Sequence, residues 1–204
     1  SINEYKLYNF TISISNLNIF ITSILIISVV ISMNLYDGMN LQSSIFYIIF
    51  FSFISAILKS YIFLIYSLTP LLIFSYFNKE NKVFLGESGV LILSTFLIYI
   101  LIKIYNSKLN NNVDLIYIFI VFSIPLFDAS RLFFKRTFSY GNPFKADNDH
   151  VHHLLIKKNY NYFQTICLLN FSNLIIIIFF YQGIESYKVL FLSFLYYLFL
   201  IFIP

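Results

Sequence analysis

Charge is what this sequence has least of. Only 11% of its 204 residues are Asp, Glu, Lys or Arg, while 59% are hydrophobic and the mean hydropathy is +0.82. That balance excludes a water-soluble globule of this length and makes a polytopic membrane protein the default class. Cysteine occurs once, as Cys167, which excludes an intrachain disulfide and leaves the redox compartment unread. The opening SINEYKLYNF lacks the basic region and short apolar core of a signal peptide. It also lacks an initiator Met, and the chain is expected to be a piece of a longer polypeptide. Nothing in the sequence calls for nucleic acid as a partner.

The scarcity of charge is also a map. Positions 7–36, 38–58, 60–78, 88–102, 159–184 and 189–204 contain no Asp, Glu, Lys or Arg. A bilayer crossing takes about 20 apolar residues, and lipid-exposed backbone must be helical to satisfy its own N–H and C=O groups. The reading is an all-α transmembrane bundle, one domain over residues 1–204, with helices near 17–34, 42–59, 61–77, 89–105, 114–134, 161–182 and 187–203. The 114–134 segment carries Asp128 and Arg131, which fall three apart on one face near the end that adjoins a basic loop.

With seven crossings, one side collects Lys79, Lys82, Arg131, Lys135, Arg136, Lys145, Lys157 and Lys158, and the other collects Lys6, Lys59, Lys103, Lys108 and Lys188. The richer side is assigned to the cytoplasm by the positive-inside rule. Three polar constellations fall on it. The first is NLYDGMN, where Asp37 stands alone among charges between Lys6 and Lys59, beside Gly38 at the mouth of two crossings. The second is NKENKVFLGESGV, where Gly86 and Gly89 bracket Glu87 just before a helix; a carboxylate there can hold a hard cation through oxygen. The third is NPFKADNDHVHHLL, which holds all three histidines.

That last stretch reads as a short helix N-capped by Asp147 and ending near Lys157, Lys158 and Asn159. His150 would sit in its first turn, where free amides favour phosphate. Zinc is the rival ligand of a His-rich tract, but no cysteine is near and the flanking Lys and Arg favour an anion. Carboxylates for a hard cation plus cationic donors for phosphate are the parts of a phosphoryl-transfer site, and their place at a membrane face implies a lipid substrate.

At these residues the chain resembles the polyprenyl-phosphate N-acetylhexosamine-1-phosphate transferases, relatives of the muramoyl-pentapeptide translocase. SMNLYDGMNLQ corresponds to a motif like NxxNxxDGxDGL, FLGESGV to one like FxGDxGS, and PLFDASRLFFKRTFSYGNPFKADNDHVHHLL to one like PxFDxxR...R...SPFxxDxxHxHHLL. The third match is long, specific, and favours the N-acetylglucosamine type. The resemblance runs from about residue 7 onward and corresponds to the last seven of the family's eleven helices. The family's DDxxD motif belongs to an earlier loop, and this sequence has no Asp-Asp pair.

The resemblance implies transfer of a sugar-1-phosphate from a UDP-N-acetylhexosamine to a polyprenyl phosphate, with Mg²⁺ or Mn²⁺ as cofactor. It implies Glu87 and Asp37 as metal ligands, with Asp37, His150, His152 and His153 as catalytic residues. Asn34, Asn40, Arg131 and Arg136 would bind nucleotide and sugar phosphate. Two positions depart from the pattern: Glu87 replaces Asp, and Asn40 followed by Leu41 replaces Asp-Gly. A bacterial inner membrane is the expected location, and a homodimer is left open. Alternative readings are a non-catalytic paralogue that binds nucleotide sugar or lipid carrier, and a small transporter; the latter would need polar residues at mid-membrane depth.

Overall fold

The computed structural model describes residues 5–7, 10–12, 18–107, 114–143 and 148–204. Two three-residue strands, β1 (Tyr5–Leu7) and β2 (Phe10–Ile12), pair antiparallel with Lys6 opposite Thr11. The other regular elements among the described residues are helices: α1 (Asn18–Tyr36), α2 (Gln42–Leu58), α3 (Tyr61–Lys79), α4 (Gly86–Ser107), α5 (Leu115–Val121), α6 (Ser123–Tyr140), α7 (Val151–Lys157), α8 (Tyr162–Tyr181) and α9 (Ser186–Phe202). Four of them, α1, α3, α4 and α8, are long and apolar enough to cross a membrane, and α5 with α6 makes a fifth if that bent pair is one span. The apolar helices α2 and α9 have 17 residues each, at the lower limit of a crossing. This is a multi-pass helical membrane protein.

Helix ends follow local chemistry. Lys59 closes α2 in the left-handed conformation, and one residue later Ser60 opens α3 by accepting a hydrogen bond from the Phe63 amide at 3.2 Å. Asn161 and Gln164 form a reciprocal capping box at the start of α8. Lys158 reaches the far end of α9, where its ammonium donates to the carbonyls of Ile201 and Ile203, each at 2.5 Å. A cation on the last carbonyls of a helix satisfies orphan acceptors and suits the dipole.

The expected straight helix over 114–134 is broken. α5 and α6 meet at Phe122 with a bend of 76°. The reason is Pro125 in the first turn of α6: it has no amide to bond the carbonyl four residues back, and its ring collides with that carbonyl. α6 then runs six residues past the expected end, to Gly141, whose left-handed conformation (φ 66°) and amide on the Thr137 carbonyl at 3.0 Å stop it. α4 begins at Gly86 (φ 65°) rather than near 89, so Glu87 and Gly89 lie inside its first turn. α7 begins after His150, and Asp147, expected as its cap, lies outside the described residues.

The core is aromatic and aliphatic: Phe46, Tyr47, Phe50, Phe51, Ile54, Leu97, Ile98 and Phe122 are fully buried. Phe46 packs on Phe50 with ring centres 4.8 Å apart, and the Phe46 ring lies 5.9 Å from Phe122 at the break. α1 packs on α4 and α6, α2 on α3 and α8, and α9 on α5, α6 and α8. α3 turns Tyr61, Ile62, Ile65, Tyr66, Leu72 and Ile73 outward, the face a lipid chain would cover. One end of this bundle gathers the α1–α2, α3–α4 and α6–α8 connections.

Candidate active site

The three polar stretches meet at that end. α1 stops at Tyr36, and the Asp37 amide still bonds the Met33 carbonyl at 3.1 Å while Gly38 turns back on Tyr36 at 2.8 Å. The imidazole of His152 lies directly on Gly38: a Cβ built there would sit 2.2 Å from both Cε1 and Nε2. Glycine is therefore required by the histidine rather than by backbone conformation, since Gly38 is not among the residues with positive φ.

A second contact joins the first two loops. Asn40 Nδ2 donates to Asn81 Oδ1 at 2.5 Å, Asn78 Nδ2 donates to Asn40 Oδ1 at 3.4 Å, and the Leu41 amide donates to Asn78 Oδ1 at 2.7 Å. Asn78 also donates to the Val83 carbonyl at 2.8 Å, and the Tyr162 hydroxyl at the start of α8 donates to the Asn40 carbonyl. Leu41 itself adopts the left-handed conformation, φ 65°. This is a conformation that costs a side chain free energy, and it falls at the position where the resembling motif has glycine.

The histidine stretch is anchored from below. Asp128, only 5% exposed, accepts through Oδ2 from His150 Nδ1 at 3.1 Å and from the Val151 amide at 3.2 Å. Its Oδ1 accepts from Arg131 Nη2 at 2.8 Å and from the Tyr197 hydroxyl at 3.1 Å. Arg131 Nε donates to Tyr197 at 2.8 Å, and Nη2 also reaches the Asp149 carbonyl at 2.5 Å. α7 begins at Val151, so His150, expected in the first turn among free amides, is instead the residue before the helix, and the Val151 amide is taken by Asp128. Asp149 lies between Lys135 at 2.5 Å and Lys157 at 3.2 Å, and these ammonium groups hold its carboxyl below the usual carboxylate range.

The rings of His150 and His152 are nearly parallel, 5.7 Å apart, and that of His153 is 4.3 Å from His152. The three differ in environment. His152 is 2% exposed, and burial, reinforced by His153 and His150, lowers its pKa to about 4, so it is neutral at pH 7. His150 is buried beside a carboxylate, and His153 is half-buried. Asp37 is half-buried, and burial pushes its carboxyl above the ordinary carboxylate range. Arg136 is buried on α6, Asn34 is exposed on the last turn of α1, and Glu87 is exposed on the first turn of α4.

Asp37, Asn40, His150, His152 and His153 therefore share one end of the bundle, with Arg131 of α6 beneath the histidine stretch and Arg136 buried farther along the same helix. Glu87 lies at the same end and makes no hydrogen bond or ion pair among the described residues. Among these residues no three of His, Cys, Asp and Glu converge to hold a metal. His150 turns Nδ1 to Asp128 and His152 turns its ring to Gly38. Asp37 and Glu87 carry the carboxylate oxygens at this end, the donor type that a hard cation such as Mg²⁺ would take together with phosphate and water. Asp128 and Tyr197 were not expected as site residues; a lone Tyr in an aromatic-rich helix carries no sequence signal, whereas Asp128 inside a span did.

These features define a membrane-embedded helical protein with a polar, histidine-bearing site at one end of its bundle. The chain is 28% identical over 111 residues to the undecaprenyl-phosphate α-N-acetylglucosaminyl 1-phosphate transferase of Haemophilus influenzae, covering 53% of this chain and 31% of that protein. The same-named proteins of Pasteurella multocida (27% over 96 residues) and Escherichia coli K12 (25% over 95 residues) each match 47% of this chain, and 27% and 26% of their own lengths. The chain thus matches about a third or less of these relatives' lengths. No family model and no solved structure matches it. The similarity bears out the resemblance read from the motifs.

Proposed function

We propose that this chain carries the histidine-bearing part of a membrane enzyme that transfers N-acetylglucosamine-1-phosphate from UDP-N-acetylglucosamine to undecaprenyl phosphate, releasing UMP. The observation that carries the reading is the contact of His152 with Gly38, which brings the DG loop and the HVHH stretch into one site. The loops would face the cytoplasm of a bacterial inner membrane, where the nucleotide sugar is.

In the reaction an oxygen of the lipid phosphate attacks the β-phosphorus of the nucleotide sugar. The bond from that phosphorus to the bridging oxygen breaks, and the electron pair leaves with UMP. Mg²⁺, held by Asp37 and Glu87, would neutralise charge on the pyrophosphate. The residues of this chain divide the remaining work. Asp37 lies close to the reacting phosphates, and its raised pKa suits a group that shares a proton or a metal with them. His150 and His153 would face the sugar diphosphate and Arg136 would add positive charge to it, while neutral His152 seals the floor against Gly38. Asn34 remains exposed at the rim for the nucleotide.

The experiment is a transfer assay on the protein expressed from its complete gene, with UDP-[¹⁴C]N-acetylglucosamine, undecaprenyl phosphate and Mg²⁺ in detergent. Label entering the lipid phase, and returning to water on addition of UMP, supports the reading. A folded protein that moves no label with any UDP-N-acetylhexosamine, in Mg²⁺ or Mn²⁺, overturns it. That result would favour a binding paralogue, in which Asn40 serves only the asparagine cluster that holds the first two loops.

A further inference from the structure

The strongest feature outside the residues already given a role is the buried carboxylate of Asp128. A carboxylate away from water persists only if its lone pairs are met and its charge is balanced. Asp128 receives four hydrogen bonds, from its own helix α6, from the start of α7 and from α9: His150 Nδ1 at 3.1 Å, the Val151 amide at 3.2 Å, Arg131 Nη2 at 2.8 Å and the Tyr197 hydroxyl at 3.1 Å. Tyr197 both donates to Asp128 and accepts from Arg131 Nε at 2.8 Å, so Asp128, Arg131 and Tyr197 close a ring of hydrogen bonds between α6 and α9. Arg131 extends it by donating to the Asp149 carbonyl at 2.5 Å, immediately before His150.

We propose that Asp128, braced by Arg131 and Tyr197, is the positioning residue of this site, fixing His150 in the Nδ1–H tautomer and aiming its Nε2 at the substrate phosphates. The inference rests on the phosphotransferase reading above. An ionised carboxylate only accepts, so the hydrogen between it and His150 belongs to Nδ1, and Nε2 is left as the working nitrogen. No described residue bonds that Nε2. The second oxygen interaction, with the Val151 amide, fixes the direction in which the chain enters α7, so one side chain sets both the ring and the helix that presents it. Arg131, expected on the nucleotide or sugar phosphate, has Nε and Nη2 engaged in this bracing.

The chain contains only three histidines, all in this cluster, so ¹⁵N-histidine labelling of the complete gene product in nanodiscs gives three imidazoles to assign. One imidazole with a protonated Nδ1 and an acceptor-type Nε2 is expected, and it should lose that signature in Asp128→Asn, whose amide cannot accept on both sides. Tyr197→Phe removes one hydroxyl while keeping the ring and should shift the same signal without unfolding the protein. In the transfer assay both variants should keep KM for the nucleotide sugar within about twofold. Their kcat should fall, by more than tenfold for Asp128→Asn and several-fold for Tyr197→Phe, and Asp128→Glu should recover part of the loss. An unchanged His150 signal in both variants overturns the proposal whatever the activity. A normal kcat in both, with an active wild type, also overturns it, whereas an inactive wild type with the expected His150 signature sinks the phosphotransferase reading alone.

Discussion

Replacing Gly38 with Ala is the sharpest probe of how the first and third loops meet. The new methyl would lie 2.2 Å from two ring atoms of His152, over 1 Å inside van der Waals contact, and the ring is 2% exposed with Asp128-bound His150 beside it. Since Gly38 does not use a positive φ, alanine brings no backbone strain, and the whole effect passes through the histidine. Overpacking at such a site costs about 1–3 kcal/mol. For a protein of this size that lowers the apparent Tm by roughly 2–4 °C per kcal/mol. Thermal unfolding in detergent would measure it, for Gly38→Ala, His152→Ala and the double variant. The contact predicts strong coupling: the methyl costs little once the imidazole is gone, so the double variant is about as stable as His152→Ala alone. Additive losses, or a Gly38→Ala protein with unchanged Tm, would refute the juxtaposition.

Leu41→Gly relieves a left-handed side chain worth about 1–2 kcal/mol against about 0.5–1 kcal/mol of added backbone entropy, so the variant should be up to about 1.5 kcal/mol more stable by denaturant unfolding. His152 titrates near 6.5 when unfolded and about 4 when folded, so the unfolded chain binds the extra proton between those values and stability falls as pH drops through that window. The loss approaches about 3 kcal/mol at its acid limit, and the Tm difference between wild type and His152→Gln, followed from pH 7 to pH 5, should shrink accordingly. Lys158→Met frees the Ile201 and Ile203 carbonyls, and faster amide hydrogen exchange confined to the last turn of α9, with a loss of about 1 kcal/mol, is expected.

Much of this was legible because apolar length is a strong signal. The gaps between charges give α1, α2, α3, α8 and α9 to within two residues at each end. The break at Phe122 was missed because hydropathy does not register the one atom that matters, the proline nitrogen at 125 without its hydrogen. The gathering of the three loops was legible as well, since each motif sat at the same end of its helices. The wiring between them was not. That Asn40 meets Asn78 and Asn81, that His152 lies on Gly38, and that Arg131 bonds Tyr197 are contacts across 38 to 114 positions, set by how helices pack and invisible to any local pattern. Asp128 was visible as an ionisable group inside a span, which is costly and therefore informative, but its partner His150 could be named only once α6 and α7 were placed.

The central claim is that this end of the bundle serves transfer of a sugar together with its phosphate. It is tested most directly with UDP-N-acetylglucosamine carrying ¹⁴C in the sugar and ³²P at the β-phosphate, incubated with the complete gene product, undecaprenyl phosphate and Mg²⁺. The account predicts that both labels enter the lipid in equal amounts, with one UMP released for each, and that Asp37→Asn abolishes both. Sugar label without ³²P, or no label in lipid from a folded protein, would contradict it.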